Sequence, residues 1–345
     1  MAHFTGISRA LQSRGGIHMQ RNKTPLQPLQ DQPEQSSGET SHPRNTLNDL
    51  GGDRFLYFTK SVLSTSYPSV YSHELRKKHG ANKPPQLMAL LIEFFTKTGM
   101  SVLDPFAGVG GTLIGASIAT PGSRRCIGIE INHQWTDIYS RVLKENPDLL
   151  PQAMIQGDCI EVMDHMLSHA SVLDSDGREL LFAEKETLFD FIVMDPPYNI
   201  HLEQTMSGNG GKHYAEKYAN RRSDYNMRSD HECDLANLAT YDGYLEAMSA
   251  VFHRCFRLLR PGRYMAIIVR NAYQHAEYMF THVDLARRAG SIGFIPKGEI
   301  IWYQAGTKLR PYGYPYSYVP NIAHQNIVIL QRPRSGKLKK AKVSS

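Results

Sequence analysis

The chain has 345 residues, enough for one large domain or two small ones with a sizeable hydrophobic core. Its formal charge of +6 and its pI near 9.0 permit a polyanionic partner without requiring one. The four cysteines form no C-x-x-C pair, which argues against a zinc site and a disulfide framework, so we predict no metal site. No apolar run approaches the ~20 residues that span a bilayer, and we expect a cytoplasmic protein without membrane contact.

The two ends of the chain differ in composition from its middle. The first 50 residues are rich in Gln, Ser and Pro, and 27–40 is almost devoid of large apolar side chains. A segment of this kind cannot bury enough apolar surface to offset the entropy lost on ordering. We predict a disordered tail over 1–44, a folded domain over 45–333 and a basic disordered tail over 334–345.

The first predicted core element is a helix over 86–97. Its apolar residues recur at helical spacing, and Pro85 stands in the first turn, where a missing N–H is tolerated. Gly99 is placed to end this helix. A strand, a glycine-rich turn and a second helix are predicted over 101–119.

Six further segments have the short apolar runs typical of strands. They are, in chain order, 125–131, 153–156, 190–194, 264–269, 299–304 and 326–331. Helices alternate with the first five of the seven strands, and the polar stretch 168–186 is expected to be a loop or a short hairpin. The sequence therefore predicts an α/β fold, with a seven-stranded Rossmann-like sheet, mostly parallel with an antiparallel C-terminal pair, and helices on both faces.

Acids and glycines stand at the predicted C-terminal ends of these strands. Asp104 opens the segment D-P-F-A-G-V-G, Glu130 comes twenty residues after Gly110, and Asp158 follows the third strand. In doubly wound folds an acid at such a position accepts the hydroxyl groups of a ribose. The glycine turn is not a phosphate loop, because no Gly-Lys-Ser/Thr follows, and Leu113 stands where the dinucleotide pattern needs its third glycine.

The fourth strand ends in the motif Asp195-Pro196-Pro197-Tyr198. The acid can accept an N–H, the prolines fix the backbone because each locks φ and removes a donor, and the tyrosine offers a ring for stacking. Taken alone, the motif also fits an ordinary strand that ends in a Pro-Pro turn. Beside the other strand-end acids, it predicts a pocket for a flat molecule that carries an amino group.

The motifs D-P-F-x-G-x-G and D-P-P-Y, in this order and spacing, resemble the amino-methylating branch of the S-adenosylmethionine-dependent methyltransferases. That branch includes the DNA adenine-N6 and cytosine-N4 enzymes, and the resemblance covers about 45–333. It implies S-adenosylmethionine as cofactor, double-stranded DNA as partner, and site-specific methyl transfer to the amino group of a flipped base. Aspartate at the start of the second motif favours adenine N6 over cytosine N4.

The resemblance also implies a set of site residues. The catalytic pocket would be formed by Asp195, Pro196, Pro197 and Tyr198. The cofactor would be held by Lys83, Pro84, Asp104, Pro105, Phe106, Gly108, Gly110, Thr112, Glu130 and Asp158. Within that set Glu130 would bind the ribose hydroxyls, Asp158 the adenine amino group and the Lys83 segment the methionine end. An RNA guanine-N2 methyltransferase and a non-catalytic nucleic-acid-binding protein with this fold stay open as alternatives.

Two inserts that mix cations and aromatics are candidates to contact nucleic acid, since we expect no separate recognition domain. The first, at about 199–234, offers Lys212, Lys217, Arg221 and Arg222. Its alternative is a mobile, solvated loop. The second, 308–318, offers Arg310 and four tyrosines, and its alternative is a hairpin whose tyrosines pack on the core.

Overall fold

The computed structural model describes residues 41–169, 171–181, 189–197, 231, 233–274 and 276–334. The helices in these ranges are α1 (Gly52–Phe58), α2 (His73–Arg76), α3 (Pro85–Phe95), α4 (Gly111–Ile118), α5 (His133–Glu145), α6 (Cys159–Ser168), α7 (Tyr241–Leu258) and α8 (Thr281–Ile292). The strands are β1 (Val62–Ser64), β2 (Ser101–Asp104), β3 (Arg125–Glu130), β4 (Ala153–Gln156), β5 (Ser171–Leu173), β6 (Glu179–Leu181), β7 (Phe189–Met194), β8 (Leu259–Val269), β9 (Ala272–Gln274), β10 (Glu277–Met279), β11 (Ile295–Tyr303) and β12 (His324–Gln331).

Eight of these strands form one sheet in the order β1-β11-β12-β8-β7-β2-β3-β4. β12 runs antiparallel to both of its neighbours, and every other neighbouring pair in this sheet is parallel. The predicted α/β fold is confirmed, and all seven predicted strands are present. The sheet has one strand more than predicted, because Val62–Ser64 pairs with Ile301–Tyr303. A three-residue strand has too little alternation to be detected in a sequence.

Fewer strands run against the direction of the sheet than the predicted antiparallel pair suggests. β11 and β12 do pair antiparallel, but β11 runs in the same direction as the rest of the sheet, so only β12 is reversed. The carboxyl ends of β1, β2, β3, β4, β7, β8 and β11 therefore all lie at one edge, which we call the carboxyl edge.

Both faces of the sheet are covered by helices. Val102 and Phe191 pack on one face with apolar residues of α3, α4 and α5. Leu103 and Ile192, one position later in each strand, pack on the other face with α6, α7 and α8. β7 is buried at every position, as expected for a parallel strand with both faces covered.

The sheet order places a topological switch point between β2 and β7. From β2 the chain adds β3 and β4 on one side, and it then returns to add β7 and β8 on the other. The connections diverge at such a point and leave a crevice at the carboxyl edge, where open α/β sheets bind ligands. Asp104 and Asp195, at the ends of β2 and β7, flank this crevice.

Several predictions fall on residues that the structure does not describe. These are nearly all of the two predicted tails, the ring of Tyr198 and the four cations of the 199–234 insert. In the stretch 168–186, the described part contains the β5–β6 hairpin, one of the two expected forms. None of the helices in the described ranges has both the length and the apolar character that crossing a bilayer requires.

Candidate active site

A cavity of about 210 Å³ lies at the switch point. Its wall is built from the carboxyl ends of β2, β3, β4 and β7, from the segment 79–83 and from the segment 233–236. The predicted site residues in this wall are Lys83, Asp104, Pro105, Phe106, Gly108, Thr112, Glu130, Asp158, Asp195, Pro196 and Pro197. Pro84 and Gly110 were also predicted to hold the cofactor, but they do not line the cavity.

Asp104 holds the glycine turn in shape. Its Oδ1 accepts the N–H of Phe106 at 2.9 Å, and its Oδ2 accepts the hydroxyl of Thr112. The residue is only 3% exposed, and burial raises the pKa of its carboxyl to about 7. Asp104 thus connects the end of β2 to the first turn of α4 through these hydrogen bonds.

Gly110 faces helix α5 and does not line the cavity. Its φ of +79° lies in the left-handed region, and a Cβ added there would stand 2.3 Å from the ring of Tyr139 in α5. A side chain at this position would push α5 away from the turn. The close neighbour of Gly110 is therefore a tyrosine ring of the protein itself.

Glu130 is tied to the turn from the end of β3. Its Oε2 accepts the N–H of Gly108 and its Oε1 accepts the N–H of Asn132, both at 2.8 Å. Burial raises the pKa of this carboxyl to about 7. Each carboxylate oxygen has two lone pairs, so both can accept one more hydrogen bond from a ligand in the cavity.

Asp158 caps the helix that follows β4. Its Oδ1 accepts the N–H groups of Ile160 at 2.9 Å and Glu161 at 3.0 Å, which satisfies two of the unpaired donors at the start of α6. The side chain is thereby fixed in one orientation at the cavity wall.

Lys83 forms a buried ion pair with Asp195. Its Nζ contacts Oδ2 of the carboxylate, and the two side chains are 6% and 16% exposed. The partners are 112 residues apart in the chain. The resemblance implied that Lys83 contacts the cofactor, and the structure places its ammonium on the proposed catalytic acid.

The backbone around Lys83 is held by a buried arginine. Arg76 is 1% exposed, and its guanidinium donates to the carbonyls of Tyr71 at 2.9 Å, Val70 at 3.2 Å and Lys83 at 3.4 Å. Three main-chain bonds from one rigid fork fix the segment between β1 and α3. Lys83 is therefore delivered to Asp195 from a fixed backbone.

Two aromatic rings that the sequence did not single out also line the cavity. His79 packs edge-on against Trp135, with ring centroids 4.9 Å apart. Burial, and then the charge of Lys83, lower the pKa of His79 to about 4, so this ring is neutral near pH 7. His79 ends a short 3₁₀ helix and Trp135 lies in α5, and no sequence motif would have identified either ring.

These residues fit S-adenosylmethionine. Glu130 and Asp158 provide oriented carboxylates for hydroxyl and amino groups, and Phe106 and Trp135 add aromatic side chains to the lining of the same cavity. In addition, His79 Nδ1 and Trp135 Nε1 are buried without a hydrogen-bond partner among the described residues. Within the same residues, no group of three or more His, Cys, Asp or Glu side chains is arranged to hold a metal ion.

The fold and the site together define a class of protein. A parallel sheet with one reversed strand, acids at the ends of β2 and β3, and an Asp-Pro-Pro segment after β7 are the features of an S-adenosylmethionine-dependent methyltransferase. A family described as DNA methylase, the N6/N4 methyltransferases, matches residues 19–141 and 189–343. The chain belongs to this family.

Individual relatives match over shorter stretches. The chain is 30% identical over 95 residues to the type II methyltransferase M.MthZI of Methanothermobacter thermautotrophicus, across 28% of this chain and 25% of that protein. It is 38% identical over 81 residues to "Putative methylase YubD" of Escherichia coli (strain K12), across 24% of this chain and 33% of that protein. These matches thus span between a quarter and a third of the relatives' own length.

Solved structures resemble the chain more loosely. TrmN from Thermus thermophilus matches with a TM-score of 0.42 and 14% identity, and the match covers 76% of this chain and 53% of that one.

Proposed function

We propose that this protein transfers a methyl group from S-adenosylmethionine to the N6 amino nitrogen of an adenine flipped out of double-stranded DNA, at specific sites. The observation that carries the proposal is the position of Asp195. It stands at the carboxyl end of β7, in the wall of the same cavity as Glu130 and Asp158. An amino group bound to Asp195 would therefore share a cavity with the carboxylates proposed to hold the cofactor.

Methyl transfer to an exocyclic amino group requires hydrogen-bond acceptors around the nitrogen. The lone pair of an exocyclic amine is delocalised into the ring, which makes the nitrogen a poor nucleophile. Asp195 and a main-chain carbonyl of the Pro196-Pro197 segment would each accept one N–H. These two bonds favour a pyramidal nitrogen whose lone pair is no longer delocalised into the ring. These hydrogen bonds strengthen as the nitrogen becomes positive, so they stabilise the transition state more than the ground state.

Positioning supplies the second contribution. When bound, S-adenosylmethionine supplies an electrophilic methyl group on a sulfonium. The rigid Pro-Pro backbone and the fixed carboxylates of Glu130 and Asp158 would hold the two reactants in line, so that orientational entropy is lost on binding and not in the reaction. Tyr198, which lies outside the described residues, is assigned to stack on the flipped base.

Lys83 acts through Asp195 in this scheme. A carboxylate that is mostly buried and close to a second acid, Asp104, tends to take up a proton and lose its acceptor strength. The ammonium of Lys83 favours the ionised form of Asp195 and fixes the orientation of its carboxylate. Lys83 is therefore a positioning residue, and Asp195 is the group that would touch the base.

The direct test identifies the methylated nucleoside. The protein is incubated with radiolabelled S-adenosylmethionine and either duplex DNA or RNA, and the nucleic acid is then digested to nucleosides. N6-methyladenine in DNA is the expected product. N4-methylcytosine would move the target to cytosine, label only in RNA guanine would refute a DNA substrate, and cofactor binding without any transfer would indicate a non-catalytic binding protein.

The role of Asp195 is tested separately from the substrate. Asp195→Ala is expected to abolish transfer while cofactor affinity, measured by calorimetry, stays within a few-fold of wild type. Because alanine removes the carboxylate that the buried Lys83 ammonium contacts, the double variant with Lys83→Met serves as the control for folding. A comparable loss of cofactor affinity in both variants would place Asp195 in the cofactor site instead.

A further inference from the structure

The loop between β11 and β12 exposes a row of tyrosines. Tyr312, Tyr314, Tyr316 and Tyr318 are 46%, 80%, 94% and 85% exposed. This excludes the alternative in which these tyrosines pack on the core. Contiguous exposed aromatic surface of this kind is uncommon on a folded domain unless it binds something.

The loop is held in shape by its own hydrogen bonds. The side chain of Asn321 accepts the N–H of Arg310 at 2.7 Å and donates to the carbonyl of Arg310 at 2.9 Å, which closes the base of the loop. Near its tip, the carbonyl of Gly313 accepts the N–H groups of Tyr316 at 2.8 Å and Ser317 at 2.7 Å. The tyrosines are thus presented outward by a pre-organised turn, which lowers the entropy that a partner must remove on binding.

The loop leaves the sheet at the carboxyl edge, where the cavity lies. β11 pairs in parallel with β1, and Ser64 lies opposite Tyr303 at the ends of the two strands. From Ser64 the chain runs through the exposed cations Lys77 and Lys78 to Lys83 in the cavity wall. The tyrosine loop and the segment that reaches the proposed catalytic acid therefore start side by side.

Cations accompany the tyrosines on this loop. Lys308 and Arg310 are both exposed, and the four tyrosines follow within eight residues of Arg310. We call Lys308, Arg310 and the four tyrosines the aromatic surface. Interleaved cations and rings suit a nucleic acid, because cations contact phosphates while rings stack on bases or pack on sugars.

We propose that the aromatic surface binds the DNA that flanks the flipped base. The inference rests on the proposed function, since it assigns the surface to the same DNA substrate. A base that leaves the duplex exposes the faces of its neighbours and its orphaned partner, and rings that lie at the same carboxyl edge of the sheet as the cavity can stack on exposed bases. The surface would thus hold the opened duplex while the amino group occupies the cavity.

The experiment measures DNA binding without methyl transfer. A fluorescent duplex is titrated with the full chain at fixed salt, and anisotropy gives the dissociation constant for wild type and variants. The triple variant Tyr314→Ala, Tyr316→Ala, Tyr318→Ala is expected to bind the duplex at least tenfold more weakly, with unchanged affinity for S-adenosylmethionine. The matching triple phenylalanine variant keeps the rings and is expected to stay within about threefold of wild type, since stacking needs the ring and not the hydroxyl.

Two arginine variants, one within the aromatic surface and one far from it, provide a matched comparison. Arg310→Ala is expected to weaken binding and to flatten its salt dependence. Arg178→Ala removes another exposed arginine, from the β5–β6 hairpin, which contacts β4 at the opposite end of the sheet, and it is expected to change neither the duplex affinity nor its salt dependence.

Unchanged duplex affinity in the triple alanine variant would overturn the inference. So would a variant that loses affinity only for RNA, or one that loses only self-association as seen by size-exclusion chromatography. A wild-type protein that methylates no DNA refutes the proposed function instead, and that result comes from a different assay.

Discussion

Replacing Lys83 with methionine tests how the structure holds its proposed catalytic acid. The change removes the ammonium and keeps an unbranched side chain of similar length. Asp195 then loses its buried cationic partner and stays close to Asp104. We expect a less stable protein and slower methyl transfer, because the Asp195 carboxylate loses the buried positive charge that stabilises it and fixes its orientation.

The size of the effect follows from burial. The two side chains are 6% and 16% exposed, so solvent screens the pair much less than a surface pair. Removing one partner of a buried ion pair costs roughly 3–5 kcal/mol, and the partial exposure of Asp195 places the loss at the lower end of that range. The free energy of unfolding should therefore fall by about 3 kcal/mol near pH 8.

Urea unfolding of Lys83→Met, Asp195→Asn and the double variant measures this coupling. The double variant should be more stable than Lys83→Met, because it removes both charges of the buried pair. Lys77→Met is the control: it breaks an ion pair with Glu74 whose side chains are 52% and 78% exposed, and no measurable change is expected. Strictly additive losses in the double variant would refute the coupling.

Kinetics separate the two roles assigned to Lys83. If it positions Asp195, Lys83→Met lowers kcat even at saturating S-adenosylmethionine. If it only binds the methionine end of the cofactor, as the sequence resemblance implied, the KM for the cofactor rises and kcat at saturation is unchanged.

Three further outcomes follow from the buried acids of the cavity wall and from the glycine turn beside it. Burial raises the pKa values of Asp104 and Glu130 to about 7, above their unfolded values near 4, so the folded state holds more protons between these limits. The stability that these two groups contribute is fully present below pH 4 and is lost as the pH rises through 7. The free energy of unfolding of the ligand-free protein, measured by urea titration, should therefore fall between pH 5 and 8. A rise over this range would contradict the burial argument. Glu130→Gln is expected to weaken S-adenosylmethionine binding at least tenfold in calorimetry with duplex affinity unchanged, whereas unchanged cofactor affinity would remove Glu130 from the site. Gly110→Ala should lower the free energy of unfolding by about 1–3 kcal/mol, because a left-handed residue gains a Cβ against the ring of Tyr139, and an unaltered melting temperature would disprove that contact.

Much of the site could be predicted because it consists of strand ends. Short apolar runs predict strands, and an acid that follows such a run must lie at the carboxyl edge if the strands are parallel. Asp104, Glu130, Asp158 and Asp195 were found in this way, and the cavity contains all four. The roles of Asp104 and Gly110 were less accessible, since both depend on which atoms approach them from α4 and α5.

The sequence alone determined the order of the elements, seven of the strands and the acids at the ends of four of them, because periodicity and turn chemistry are local properties. The tertiary structure decided which distant segments meet. It added β1 beside β11, brought Lys83 to Asp195 across 112 residues, and turned four tyrosines outward that the sequence could equally have packed on the core. These are pairings between segments far apart in the chain, and no local pattern in either partner specifies the other.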